Sequence, residues 1–426
     1  MIFSSLSNRT VVLLVLIICV SWTSGAEKPD YNPESSFIGA CSQATRESRA
    51  FNPFAVHAEL MDSMSTANIR FTRTGFKWKN IHPNQNKWDW RITDAVVKSA
   101  RDKDIELLAL ISGMPPWVME SPEASIDLWL EFVDSLTIRY KDDISHWEIW
   151  NEPNLPSGKY WPQNALPNQF ADYVIQASKI IRRNQSNSTI LLGGLATGRK
   201  AKPFEMWEAL FELGVLDGVD GIAYHTYQYP GLELIDFNKK LSDLVAKYTS
   251  QKMEYWITEF GVPAVDSQKF KKFKYQNQRK MILESILIHW ATGGSKFFIY
   301  NLWDKKEFNP GFTNKELRKN KSGYFGLLNK DMSAKPSYAA VRWLAPLLNE
   351  YEPLELENKP DGVLIRAKHK TSGNTVFFSW GANAQKELLK SKDELSKFET
   401  FETQINLDRA SSRTLRAHTD EVQFWH

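Results

Sequence analysis

The sequence predicts an α/β protein, a (β/α)8 TIM barrel followed by a small C-terminal antiparallel β-domain, on three observations. Eight short apolar or β-branched runs alternate with longer helical patterns between about residues 36 and 348. The runs are mostly apolar rather than strictly alternating, which suits parallel strands buried on both faces. After Leu348 the pattern changes to alternating β-rich runs separated by turn signals. A doubly wound open sheet is the alternative that the same alternation allows.

In chain order the runs are SFIGACS (36–42), ANIRFTR (67–73), ELLALIS (106–112), SHWEIW (145–150), TILLG (189–193), GIAYH (221–225), EYWIT (254–258) and KFFIY (296–300). Helical stripes separate them. Trp129, Val133 and Leu136 recur at i, i+4, i+7 in one segment, and Ile282 and Ile286 with Leu283 and Leu287 line another. In GVLIRAKHKTSGNTVFFSW (362–380), Ile365 and Ala367 alternate with Arg366, Lys368 and Lys370 before a Ser-Gly-Asn turn and a second β-rich run. EVQFWH closes the chain. The expected domains are a leader at 1–26, a catalytic barrel at 27–348 and a β-rich domain at 349–426, without a flexible linker or internal repeat.

The leader reading rests on Arg9, the apolar run Val11 to Val20, and Ser24-Gly25-Ala26 before Glu27, the layout of a secretory signal peptide. The run is too short to cross a bilayer core of about 30 Å comfortably, so cleavage after Ala26 and a secreted or periplasmic protein are expected, with an uncleaved anchor as the alternative. Cys19 follows Leu16-Ile17-Ile18 rather than a small residue, which argues against lipidation. Cleavage leaves Cys41 as the only cysteine, hence no intrachain disulfide.

Fifty-three basic and 50 acidic residues give a net charge of +3, too small to point to nucleic acid or an anionic membrane as partner. The densest basic stretch, FKKFKYQNQRK (270–280), reads as a solvated face ahead of a helix. GGLATGRK (193–200) lacks the Gly-Lys-Ser/Thr of a phosphate loop, because Arg199 follows Gly198. No spaced His, Cys or carboxylate cluster suggests a metal, and no cofactor is expected. Asn184-Gln185-Ser186 and Asn187-Ser188-Thr189 fit the N-glycosylation pattern, which matters only in a eukaryotic host.

In a (β/α)8 barrel the residues ending different strands converge on one bowl. The second run ends at Arg73, with Trp78 shortly after and Arg70 as a competitor for the arginine's role. The third leads to Trp117. The fourth ends at Asn151-Glu152, the sixth at His225-Thr226-Tyr227, the seventh at Glu259, and the eighth leads to Trp303-Asp304. Two glutamates facing each other among aromatic side chains are the requirement for glycoside hydrolysis. Glu259, beside Arg73 and a hydroxyl such as that of Tyr227, is expected to stay ionised and attack the anomeric carbon. Glu152, less well compensated, is expected to keep its proton for the leaving oxygen. Asn151 can bond a sugar 2-hydroxyl; Trp78, Trp117 and Trp303 offer flat faces for sugar rings, and His225 and Tyr227 complete the expected substrate contacts.

Trp150-Asn151-Glu152-Pro153, His225-x-Tyr227 and Trp256-Ile257-Thr258-Glu259-Phe260-Gly261 resemble glycoside hydrolase clan A, the retaining (β/α)8 glycosidases. WEIWNEPN and the appended β-domain look most like family 39, with family 5 cellulase-like enzymes next. The resemblance covers about residues 36 to 345 and implies that Glu152 is the acid/base and Glu259 the nucleophile of a double displacement on β-linked oligo- or polysaccharides. Arg73, Asn151, Tyr227 and Trp303 match positions that line the innermost sugar subsite. Two departures concern the substrate: Ile81-His82-Pro83 stands where many relatives have Ile-Glu-Pro, and no histidine ends the third run. A charged insertion (305–325) after the eighth run is expected to reshape the bowl. A non-catalytic carbohydrate-binding protein and a transglycosylase are the alternatives.

Overall fold

The computed structural model describes residues 14–17, 36–42, 53–119, 125–156, 161, 166–359, 362–380 and 399–401. Of the expected leader only Leu14–Ile17 falls among them, and the closing EVQFWH lies outside. The chain divides into two compact units, residues 32–346 and residues 347–426 with 1–31.

The larger unit is a closed barrel. Its strands are β1 (Ile38–Cys41), β2 (Phe71–Lys77), β3 (Glu106–Ser112), β4 (His146–Asn151), β5 (Thr189–Ala196), β6 (Gly221–His225), β7 (Glu254–Phe260) and β8 (Lys296–Ile299). Each pairs in parallel with its successor, and β8 pairs with β1, Ile38 opposite Phe297, so the ring closes and the open-sheet alternative falls. The surrounding helices include α1 (Pro53–Thr66), α2 (Arg91–Arg101), α3 (Ser125–Arg139), α4 (Asn168–Asn184), α5 (Pro203–Glu212), α6 (Glu233–Val245) and α7 (Tyr275–Ala291). The expected stripes face inward: Trp129, Val133 and Leu136 of α3, and Ile282, Leu283, Ile286 and Leu287 of α7, are all buried. No helix among the described residues is long and apolar enough to cross a membrane.

Strand periodicity of two sorts the barrel interior into layers. Cys41, Phe71, Leu108, Leu191, Ala223, Trp256 and Phe298 form the apolar layer. Two residues further along four of these strands stand Arg73, His225, Thr258 and Tyr300, so the same inward-facing register that packs the core delivers polar groups to the C-terminal bowl. The Cys41 thiol is free, and burial pushes its pKa up.

After β8 the chain makes the excursion expected from the charged insertion. It contains α8 (Asn314–Asn320), opened by a capping box in which Thr313 and Glu316 bond each other's backbone amides. Leu317 and Tyr324 of this excursion pack with Val265, Phe270 and Phe273 of the loop after β7, flanked by Phe308 and Phe312. The base of the excursion is pinned by a buried ion pair: Lys335 Nζ donates to Asp304 Oδ1 (2.9 Å) and to the Ala264 carbonyl (3.0 Å). Burial raises the Asp304 carboxyl to about 6 even though Lys335 and the Gly326 amide act to lower it. Removing Lys335 alone strands a buried carboxylate, so Lys335→Ala is expected to cost about 3–5 kcal/mol of stability, read as a fall in urea midpoint. A loss under about 1 kcal/mol would mean that water already reaches the pair. Helix α9 (Pro336–Glu350) follows, with Pro346 inside it at the division between the units.

The smaller unit is an antiparallel sheet of β9 (Tyr351–Lys359), β10 (Gly362–His369) and β11 (Thr375–Trp380), continued by Leu14–Ile17 and then Glu399–Phe401. Val363, Ile365 and Ala367 are buried on one face of β10 while Arg366 and Lys368 are exposed, as the alternation predicts. Gly373, at φ +75°, makes the expected turn before β11. Leu14–Ile17, inside the run read as a leader, lies antiparallel to β11, Leu14 opposite Ser379.

Candidate active site

Strand β4 ends in an unusual backbone. Trp150 (φ +74°) and Glu152 (φ +47°) both lie in the left-handed region, which costs a non-glycine residue about 1–3 kcal/mol and is tolerated where the surroundings over-determine it. The determinants are local. Glu152 N donates to the Gly194 carbonyl (2.8 Å), and Asn154 bonds the Ala196 and Ala201 carbonyls (2.8 and 2.9 Å) and the Ala196 amide (3.0 Å). The Asn-Glu-Pro-Asn sequence is therefore a strand end stitched to β5, with Glu152 held over the bowl.

Strand β5 comes so close that only glycine fits. A Cβ on Gly193 would stand 1.9 Å from the Ile149 carbonyl oxygen, and one on Gly194 would stand 2.5 Å from His225 Nε2 and 2.8 Å from Glu148 Oε1. Gly194→Ala is expected to lower kcat/KM by about 10²-fold or more by displacing His225 and Glu148. Wild-type activity in that variant would contradict the packing.

Arg73 is the hub of the site, 4% exposed. Its Nη1 donates to Glu259 Oε1 (2.6 Å), its Nη2 to Asn151 Oδ1 (2.8 Å) and Glu148 Oε1 (3.0 Å), and its Nε to Glu148 Oε2 (2.5 Å). Glu148 also accepts from Thr258 Oγ1 (3.1 Å) and the Gly194 amide (3.0 Å), so the buried carboxylate is fully engaged. Arg70 is occupied elsewhere, with Ser65 and the Lys103 carbonyl, which leaves the expected role to Arg73. With its amide oxygen taken by Arg73, Asn151 has its NH2 group left as a donor.

Tyr227 donates to Glu259 Oε2 (2.8 Å). Burial opposes ionisation of Glu259, but the charges of His225 and Arg73 and the hydrogen bonds from Tyr227 and Arg73 outweigh it and hold the carboxyl below its ordinary range. Glu259 is thus poised as an anion. Taking away the Tyr227 hydroxyl removes one lowering contribution, so the acid limb of the kcat/KM profile should move to higher pH in Tyr227→Phe. An unmoved limb would mean that another group controls it.

His225 is 1% exposed. Its Nδ1 lies within hydrogen-bond distance of Glu152 Oε1 (2.9 Å) and 3.8 Å from Glu259 Oε2. Burial depresses the imidazole's pKa, but Glu259's charge and the Glu152 hydrogen bond raise it above the ordinary value. His225, expected as a substrate contact, is buried against the two carboxylates, and the Glu152 carboxyl has this one bonded partner among the described residues, against the Arg73 and Tyr227 of Glu259.

The oxygens of Glu152 and Glu259 and a nitrogen of His225 lie within 4.8 Å of one another. By donor type these three could hold a metal ion, a set the chain spacing does not reveal. The Arg73 guanidinium already bonded to Glu259 competes with any cation there.

The tryptophans divide. Trp78 is fully buried, its ring stacked on Phe132 (centroids 5.5 Å) and edge-on to Trp117, so the expectation that it carries sugar is corrected: the helical turn Trp78–Ile81 tucks it into the core. Trp117 is half-buried and donates to the His82 carbonyl (3.1 Å). Trp303 is 9% exposed with the Lys330 ammonium 4.0 Å from its ring centroid, so it offers little surface. The half-buried Tyr300 stands edge-on to Tyr227 (centroids 6.0 Å), the residue that bonds Glu259, an aromatic neighbour that the sequence reading missed.

Residues 32–343 match the sequence model of glycosyl hydrolase family 10. The chain belongs to that family. Among curated relatives it is 23% identical over 298 residues to endo-1,4-β-xylanase B of Thermotoga neapolitana, spanning 65% of this chain and 80% of the relative. Among solved structures, this family 10 chain resembles a family 39 glycoside hydrolase from Bacteroides cellulosilyticus WH2 (TM-score 0.65, 17% identity, 83% of this chain and 72% of the other). It also resembles xylanase 10B of Thermotoga petrophila in complex with xylobiose (TM-score 0.55, 17% identity, 74% and 96%). The clan A resemblance is borne out. Family 39, the nearest resemblance read from the motifs, is among the structural neighbours, while the family model assigns family 10. The protein is a glycosidase hydrolysing O-glycosyl bonds of β-linked polysaccharides.

Proposed function

We propose that this family 10 protein is an exported retaining glycosidase that cleaves a xylan-type β-1,4-linked polysaccharide by double displacement. One observation supports the mechanism: one carboxylate oxygen of Glu152 and one of Glu259 lie within 4.8 Å of each other. So close an approach is in keeping with the roughly 5–5.5 Å carboxylate gap of retaining glycosidases rather than the about 6.5–9.5 Å of inverting ones. The choice of sugar follows the relatives, which are xylanases.

In the first step Glu259 attacks the anomeric carbon while Glu152 gives its proton to the departing oxygen. The Asn151 amide, steadied by Arg73, bonds the sugar hydroxyl as positive charge develops on the ring. Glycosylation removes the charge of Glu259, while Arg73 and His225 remain beside the site. Glu152, its own proton already given to the departing oxygen, takes the proton of the attacking water in the second step.

The test is a screen of the purified protein against β-linked polysaccharides and aryl β-glycosides. Hydrolysis of xylan or aryl β-xylosides with no comparable turnover of β-glucan or β-mannan supports the reading. Binding of a glycan without turnover of any would support the non-catalytic alternative, and oligosaccharides longer than the substrate at high concentration would indicate transglycosylation.

A further inference from the structure

We propose that the rim built by the loops after β7 and β8 binds the negative groups of an anionic β-linked glycan, either uronate carboxylates or sulfate esters, beside the catalytic glutamates. The proposal deepens the glycosidase reading and rests on it.

The first observation is where the charge lies. Residues 262–274 and 305–330 hold eleven Lys and Arg against three Asp and Glu, while the whole chain carries only +3, so the remainder is net negative. Both segments follow the C-terminal ends of barrel strands, the face that holds Glu152 and Glu259, and they pack on each other through Phe270, Phe273, Leu317 and Tyr324. The stretch 270–280, read from sequence as one solvated face, is split. Residues 270–274 belong to this rim, and α7 begins at Tyr275.

The second observation is how the charges are used. On the outer helices, exposed cations are largely neutralised by partners: Lys98 by Asp102, Arg139 by Asp94, Arg182 by Asp220, Arg183 by Asp134 and Lys239 by Asp243. On the rim, Lys271, Lys272, Lys315, Arg318, Lys319 and Lys321 are exposed, and none joins an ion pair among the described residues. Six like charges held together by a packed apolar cluster repel one another. A fixed cationic surface of that kind gains most from a polyanion, whose charges within a Debye length of about 8–10 Å act on it jointly.

The third observation ties the rim to the chemistry. Lys305 donates to the Tyr300 hydroxyl, with its ammonium 4.7 Å from the ring centroid. Tyr300 stands edge-on to Tyr227, which donates to Glu259. The chain of contacts from rim to nucleophile is short, so an acidic substituent near the cleaved unit would lie within reach of the rim.

The experiment uses the full chain carrying Glu259→Gln, so that polymer is bound and not consumed. Titration calorimetry compares uronate-bearing xylan, the same xylan after carboxyl reduction, and sulfated xylan, at about 50 mM and about 500 mM salt. At low salt the charged polymers should bind about tenfold or more tightly than the reduced one, with the advantage lost at high salt. Whether the carboxylated or the sulfated polymer binds better identifies the anion. Adding Lys271→Glu with Lys272→Glu, or Arg318→Glu with Lys319→Glu, should abolish the preference without lowering the thermal midpoint. Equal affinity for charged and reduced xylan, or a preference that survives both charge reversals, overturns the proposal. Wild-type hydrolysis measured in parallel separates the two readings. Charge-dependent binding without turnover leaves the rim standing and removes the glycosidase mechanism; turnover without charge preference does the reverse.

Discussion

Glu259→Ala is expected to lower turnover on any β-linked substrate by roughly 10⁴-fold or more, with the fold retained. The size follows from its position. In the proposed reaction Glu259 is the nucleophile, its carboxyl held below its ordinary range by the charges of His225 and Arg73 and the hydrogen bonds from Tyr227 and Arg73. The fold survives because Arg73 keeps Glu148 and Asn151 as partners. Steady-state turnover beside a thermal melt checks both halves. Activity near wild type would end the nucleophile assignment.

The second large effect depends on the leaving group. Glu152→Ala removes the proton donor, so substrates with poor leaving groups should lose about 10²–10⁴-fold, whereas activated aryl glycosides, whose departing oxygen needs little protonation, should lose far less in the first step. Azide should then enter the space left by the carboxyl and yield a β-glycosyl azide, the product of two inversions. Equal losses on both substrate types would argue against Glu152 as the acid, and an α-azide would argue for an inverting arrangement.

The fold was largely legible because strand burial on both faces leaves an apolar signature at fixed intervals. ELLALIS and GIAYH coincide with β3 and β6. ANIRFTR does not coincide with β2, which runs Phe71–Lys77, because Thr74 and Gly75 interrupt the apolar signal while Ala67 and Ile69, buried in the turn before the strand, imitate it. At the site, residues that end strands were readable by position: Glu152, Glu259, Arg73, Asn151 and Tyr227 all meet.

What escaped depends on distant partners. Glu148 is a charge in the middle of an apolar run, a signal that it must be paired, but its partner Arg73 is far away in sequence and only closure of the barrel brings them together. Gly194 matters because of what β4 and β6 place against it, which one strand's sequence cannot disclose. Trp78 misled for a related reason. It follows a strand end, where sugar platforms sit, but one helical turn swings its ring under Trp117 and onto Phe132. The opposite lesson comes from Asn154, whose three bonds to β5 and the Ala201 carbonyl explain why an acid and a proline occupy a strand terminus: the segment is a fastening that holds Glu152 in a left-handed backbone.

The measurement that bears most directly on double displacement is to trap the covalent intermediate. The protein is incubated with an activated 2-deoxy-2-fluoro-β-xyloside or -xylobioside, whose fluorine slows the second step more than the first, and the labelled peptide is identified by mass spectrometry. The expected result is a single fluoroglycosyl group on Glu259, with activity lost in step with labelling. A label on any other residue, or xylan hydrolysis whose first-formed product is the α-anomer, would contradict it.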